Sequence, residues 1–412
     1  MSDSRTSLPP GWGRKRFTEM ADVTFSGVDK KSMPGETPVH LCNYVDVFHN
    51  HRLHCGIEFM AATATEREVA NFRLRQGDVV FTKDSETPEE IAEPAYVAED
   101  LNGVVCGYHL AIARPKGDVD GAFLYYAMKE TGVRRQFARS ANGVTRFGLT
   151  LDALDQIAIP IPPLNEQRRI AEILSTWDET LERLSRQIEQ KETVFITLRG
   201  SLTTGQRRLR GWNNTWTPRP LSAFLEPVKR AVPKPSKPYQ ALSIRSHGKG
   251  TFQRFVDRPE AVDMDTLYRV GGRDLIVNIT FAWEGAVALA NPEDEGCLVS
   301  HRFPTFVINE EVVDRDFLGY VLNSKRFFYK LGVVSPGGAG RNRVLNQRDF
   351  LKIEISLPPL GEQHAVAKLL LDTEREIAAL KAERAALTKQ RDTLATELLT
   401  GRIRVPLAEA AS

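Results

Sequence analysis

Six potential metal ligands, His40, Cys42, His49, His51, His54 and Cys55, crowd into sixteen residues near the start of this chain. Such density invites a zinc site, but no C-x2-C pair accompanies the H-x3-5-H spacing that such sites use. The simpler expectation is a strand over 39–44 followed by a polar loop. Lys83 and Asp84 with Glu86, Glu89 and Glu90 raise a second chemistry, Mg2+-dependent phosphodiester cleavage. That reaction needs carboxylates on neighbouring strands ahead of the lysine, and none stands out. A third chemistry is recognition of a polyanion. "SPGGAGRNR" (335–343) offers backbone N–H groups with Arg341, Asn342 and Arg343, and "RRQFARSANGVTR" (134–146) offers Arg134, Arg135, Arg139 and Arg146. Guanidinium forks suit phosphates and guanine edges, so both segments, with Lys325, Arg326 and Lys330, are read as DNA contacts. A solvated helix face or loop is the plain alternative for each.

Signatures of catalysis are missing. There is no N-P-P-[YF] motif of adenine methylation, no G-x-x-x-x-G-K-[ST] loop for ATP, and no Gly-rich methyl-donor loop after a strand. "NPED" (291–294) reads as a turn. The chain is therefore expected to be non-catalytic, with any chemistry carried by partners.

The elements that must position these residues come twice. "PIPPLNEQRRIAEIL" (160–174) and "SLPPLGEQHAVAKLL" (356–370) place Pro163, Leu164, Glu166 and Gln167 against Pro359, Leu360, Glu362 and Gln363, 196 residues later. Thr204-Gly205 and Thr400-Gly401 repeat the same offset. Carboxylates just after a proline suit a helix N-terminus, and glycine suits the stop. Between those signals Ile170, Leu174, Trp177, Leu181, Leu184, Ile188, Phe195 and Leu198 fall on alternating 4,3 spacing, interrupted by Lys191. Val366, Leu370, Thr373, Ile377, Leu380, Leu387, Leu394 and Leu398 keep that register, with Arg384 and Arg391 intruding. These are heptad seams. Two rods of roughly 35 residues, about 50 Å each, are predicted to bury them against one another, most simply antiparallel. The polar intrusions leave room for a further helical partner.

Ahead of each rod lies a diverged segment with matching landmarks. "QGDVVFTK" (76–83) answers "GRDLIVNI" (272–279), each a turn and a short strand. "FLYYAM" (123–128) answers "FLGYVL" (317–322), each an amphipathic helix whose aromatic residues Phe123, Tyr125, Tyr126, Phe317 and Tyr320 are expected in a core. The fold class is α+β: two mixed α/β domains, 1–163 and 206–359, separated by long helices over 164–205 and 360–402 that form an antiparallel coiled coil, with a tail at 403–412.

Composition agrees with a folded protein, 42% apolar and 26% charged. No apolar run approaches a membrane span, the polar start Met1 to Gly13 carries no secretory pattern, and four scattered cysteines fit a reducing cytoplasm. The net charge of +2 hides an asymmetry: residues 1–163 sum to −4 and residues 206–358 to +7. The second domain is the better polyanion candidate, and the first must rely on a local patch.

With two PPLxEQ helix starts, at 162–167 and 358–363, each following a globular segment and opening a heptad rod, the chain resembles the specificity subunits of type I restriction–modification enzymes. The resemblance spans essentially the whole chain, and "LCNYVDVF" (41–48), "FMAATAT" (59–65) and "GDVVFTKDSETPEEIAEPAYV" (77–97) also look like one recurring kind of recognition domain in that family. It implies two target-recognition domains, each reading one half of an asymmetric, interrupted site in double-stranded DNA, and helices that set the gap. It also implies docking of modification (methyltransferase) subunits, two of them, at the helices, and of restriction subunits, with S-adenosylmethionine, ATP and Mg2+ used by those partners and no cofactor in this chain. Two other readings stay open: a subunit of a related system with a fused methylase–nuclease partner, and a coiled-coil adaptor that binds proteins.

Overall fold

The heptad segments form two helices, Leu164–Leu202 and Leu360–Leu399, of 39 and 40 residues. At 1.5 Å per residue each runs about 60 Å, somewhat longer than the seam alone predicts. Gly205 and Gly401 follow in the left-handed region, φ 73° and 75°. A Cβ on Gly401 would sit 2.7 Å from Pro9, and one on Gly205 3.2 Å from the Trp216 ring. Glycine at the stop is thus required by backbone and by packing. The computed structural model describes residues 8–338 and 343–406.

The chain divides into two units, Met1–Ser185 with Ala382–Ser412, and Arg186–Lys381. Each long helix starts in one unit and ends in the other. In the first unit Asp178 meets Arg391 (2.8 Å) and Ser185 meets Arg384 (3.5 Å). In the second, Lys191 meets Glu376 (2.8 Å) and Glu192 meets Lys381 (2.5 Å). In the first unit rising numbers on one helix meet falling numbers on the other, so the pairing there is antiparallel. The polar residues that interrupt the seam are the ones that pair across it. Ile170, Leu174, Ile188 and Ile377 are buried, while Trp177, Leu181, Leu184, Leu380, Leu387 and Leu394 are half-buried.

In the first unit a five-stranded sheet runs in the order Ala21–Phe25, Leu110–Pro115, Val79–Thr82, Pro94–Val97, Arg52–Leu53. A three-stranded sheet runs in the order Met60–Ala64, Thr37–Cys42, Val104–Cys106. The strand expected over 39–44 ends at Cys42, because Asp46 accepts from the Asn43 N–H (2.7 Å) and starts a short helix, Tyr44–His49. The aromatic helix is followed by a second one, Gly121–Lys129 then Thr131–Ser140, since Glu130 accepts from Val133 N–H and caps a new start. Phe17 packs edge-on against Phe81 (5.8 Å) and Phe137 (5.5 Å), contacts worth about 1 kcal/mol each beyond burial. Phe123, Tyr125 and Tyr126 lie in this core with Ile170, Leu174, Leu398 and Leu399 of the two long helices.

The second unit carries a four-stranded sheet, Leu225–Val228, Thr305–Ile308, Leu275–Val277, Val287–Leu289, and a five-stranded one, Ala231–Pro233, Thr266–Arg269, Leu298–Val299, Tyr239–Ile244, Thr251–Val256. Phe317 and Tyr320 join its core with Leu202, Val366, Leu370 and Ile377. In both units the first strand closes antiparallel onto the strand that leads into the long helix: Gly13 faces Ile161, and Thr217 faces Leu357.

Candidate nucleic-acid interface

The repeated helix starts are anchors inside each unit. Pro163 O and Pro359 O accept the first helical N–H groups. The Glu166 side chain, 0% exposed, accepts both Arg404 nitrogens at 2.7 Å and the Trp12 indole N–H at 3.1 Å. Glu362, equally buried, accepts both Arg208 nitrogens at 2.5 and 2.6 Å. Arg208 and Arg404 are themselves 196 apart and lie just beyond the end of the opposite long helix. Gln167 accepts from Asp120 N–H and donates to Asp118 O and Pro162 O; Gln363 accepts from Asp314 N–H and donates to Val312 O and Pro358 O. The amide stitches the helix start to the loop ahead of the aromatic helix. These four polar side chains are enclosed by their own units, so a partner docking here meets Pro163, Leu164, Pro359 and Leu360, which are partly or fully open. Arg404 escaped the sequence reading, although the repeat offset carried over from Arg208, three residues past the first glycine, points to it.

The arginines of 134–146 separate into different roles. In the helix Thr131–Ser140, Val133 and Phe137 face the core, and Arg135 and Arg139, four apart, are exposed. Arg134 turns inward, donating to Ala92 O (2.7 Å) and Glu89 O (2.6 Å) beside Glu93. It holds the short turn Pro88–Glu90 in place. Arg146 is exposed at the tip of a hairpin closed by the Asn142 and Gly148 backbones (3.0 and 2.9 Å). Gly143 makes the tip possible: its φ is +145°, and a Cβ there would fall 1.9 Å from Arg146 O. Val144, beside it, is 91% exposed.

The hairpin pairs Phe147–Gly148 with Asp84–Ser85 and so brings Arg146 to a cleft of about 340 Å³. Tyr44, Phe48, Asp84, Ser85, Glu86, Glu90, His109 and Arg146 line it. Tyr44 and Phe48, one turn apart on the short helix, stack at 5.7 Å with a 15° tilt. His109 Nδ1 lies 2.8 Å from Asp84. Burial, and then Glu90, Asp84 and Glu86, push the Tyr44 hydroxyl above the ordinary tyrosine pKa, as expected where carboxylates converge. Lys83 points away, donating to Ser26 O (2.8 Å) over the Tyr108 ring, and burial lowers its pKa. The lysine–carboxylate arrangement of a nuclease is not assembled here. Nor do the histidines and cysteines converge: Cys42 is buried, His40, His49, His51, His54 and Cys55 are exposed, and no metal-ligating group of three forms among the described residues.

In the second unit Ser324 caps the helix Lys325–Val333, and Lys325 and Arg326 are exposed on its first turn. Lys330 donates to Glu354 O. Arg343 donates to Gly332 O (2.8 Å) and Ser335 O (3.2 Å) and lies over the Trp283 ring at 5.2 Å, closing the base of its loop. Arg341 and Asn342 lie outside the described residues.

Two α/β domains, each leading into a long helix, with the helices paired antiparallel, define a class of duplicated recognition proteins. The sequence matches the family described as type I restriction modification DNA specificity domain over residues 56–191 and 275–389. The type I restriction enzyme MjaVIII specificity subunit of Methanocaldococcus jannaschii is 23% identical, over 95% of this chain and 94% of its own length. The solved HsdS subunit of Thermoanaerobacter tengcongensis shares the fold at a TM-score of 0.54 and 19% identity, covering 98% of this chain and all of that one. A type I system S subunit from M. genitalium gives 0.54 at 14% identity, over 97% and 98%. The chain belongs to this family, and is a DNA-sequence specificity subunit of the type I restriction–modification kind.

Proposed function

We propose that each α/β domain reads one half of a bipartite, asymmetric duplex site, while the paired helices set the gap and dock two modification subunits. The observation that carries this is the contrast within the repeat. Helix starts, helix ends and their Arg–Glu anchors recur at a fixed offset, whereas the sheets and exposed loops differ between the units. A constant frame bearing diverged surfaces suits two readers of different half-sites. Methylation with S-adenosylmethionine, and cleavage with ATP and Mg2+, then belong to the modification and restriction partners in the cytoplasm. Among the described residues no helix is long and apolar enough to cross a membrane.

Selecting duplexes from a random pool with the full chain assembled with its modification subunits tests this reading. Two short sequence blocks at a fixed gap are expected, with affinity falling steeply as salt rises. A flat salt response, or no preference among duplexes, overturns it.

A further inference from the structure

The cleft of the first unit presents a puzzle for a DNA-reading surface. Arg146 in its lining is exposed, and so are Arg135 and Arg139 on the helix packed against the turn Pro88–Glu90, but its wall carries the carboxylates of Asp84, Glu86 and Glu90. Facing phosphates, those carboxylates would be repelled. The groups on duplex DNA that welcome a carboxylate are the exocyclic amines of cytosine and adenine, exposed in the major groove. Asp84 already shares its oxygens with His109. Glu86 is exposed, and among the described residues its carboxylate has no hydrogen-bond or ion-pair partner. Arg146, across the same cleft, likewise pairs with no carboxylate among the described residues. A donor fork and an acceptor thus line one opening without neutralising each other.

From this placement we infer that Arg146 and Glu86 form a base-pair-reading pair for a G·C pair, with the guanidinium on guanine N7 and O6 and the carboxylate accepting from cytosine N4. The matching is chemical: guanine presents two acceptors side by side in the major groove, and its cytosine partner presents one donor. Arg135 and Arg139, one helical turn apart on the adjoining helix, take flanking phosphates, which position the domain without adding sequence information. Val144 at the hairpin tip adds an apolar contact beside the pair. The hairpin holds this geometry because Gly143 permits the tight tip and the pairing of Phe147 with Ser85 fixes its base.

The inference rests on the chain reading DNA as a specificity subunit, and the test separates the two. Duplex selection is run with the full chain and its modification subunits for the wild type, Arg146→Ala and Glu86→Gln. The wild type is expected to select two blocks, one of which contains an invariant G·C pair. Arg146→Ala is expected to relax that single position, lowering discrimination by roughly 10-fold, within the range of one bidentate contact. Glu86→Gln is expected to weaken preference at the same position. The other block, read by the second unit, is expected to stay intact in both variants and so reports that the complex is folded and bound. Three results overturn the inference: preferences identical to wild type, equal weakening on all sequences, or a loss centred on an A·T pair. A wild-type complex that selects nothing overturns the DNA-specificity reading itself.

Discussion

A carboxylate with no exposure is tolerable only when its lone pairs are filled, and Glu166 fills them with the Arg404 fork and the Trp12 indole. Its twin Glu362 receives the Arg208 fork, while the Trp216 indole N–H has no hydrogen-bond partner among the described residues. The first anchor is therefore the more fully satisfied. Glu166→Ala strands the indole N–H and removes two charge-assisted bonds, which at such sites costs about 3 kcal/mol. Amide hydrogen exchange is expected to speed up around 164–174 and 395–405, with the second unit unchanged. Arg404→Ala leaves the buried carboxylate unpaired, so it is expected to loosen the same segments more than Glu166→Gln, which removes the charge as well. Unchanged exchange in all three variants would show that the anchor does not hold the helix start. Gly143→Ala tests a different residue. It forces a Cβ into Arg146 O and is expected to abolish preference in one sequence block while leaving thermal stability within a few degrees of wild type, because the hairpin tip lies outside the core.

Among elements, the two long helices were the most legible part of the sequence, because a seam at 4,3 spacing survives without knowledge of its partner. Orientation was legible only as a preference. It is fixed by side chains that a one-dimensional pattern treats as flaws: Arg391 meeting Asp178, and Lys191 meeting Glu376. Arg391 and Asp178 are 15% and 18% exposed, an ion pair held within the interface. The "GD" and "RD" turns show the same limit. Asp78 and Asp274 are 196 apart and both buried, yet Asp78 is held by Arg114 from downstream and Asp274 by Arg230 from upstream. The acid repeats, and its cation is supplied by whichever neighbouring segment brings one. The cleft was less legible still, since Tyr44, Glu86 and Arg146 come from three segments distant in sequence, only the last two of which are joined by strand pairing. Because the polar pairs lock register, a lone insertion in one helix should disrupt recognition. A matched pair of seven-residue insertions, after Leu184 and after Arg384, preserves the heptad and adds about 10 Å of helix. Methylome sequencing of a host carrying that variant is expected to show both blocks unchanged and the gap longer by about three base pairs. Altered blocks, or an unaltered gap, would show that the helices do not set the spacing.

At the scale of the whole molecule the uneven charge makes the two domains unequal readers. The second carries +7 over residues 206–358 and the first −4 over residues 1–163, so phosphate attraction is expected to come chiefly from the second. Lys325 and Arg326, exposed on the first turn of their helix, are available for such contacts, whereas Lys330 and Arg343 are engaged with backbone carbonyls. Each phosphate contact removed lowers the slope of log affinity against log salt by ~0.9, whatever the sequence. Replacing both Lys325 and Arg326 with Ala should therefore flatten the slope by ~1.8 and weaken binding to every duplex alike, while the selected sequence blocks stay the same. Arg146→Ala in the first unit should do the reverse, changing one position of one block and leaving most of the salt dependence in place. Salt titration of both variants on a cognate and a scrambled duplex separates attraction from reading. If the Lys325/Arg326 variant loses sequence preference instead, the helix Lys325–Val333 contacts base edges, and the division between an attracting domain and a reading cleft fails.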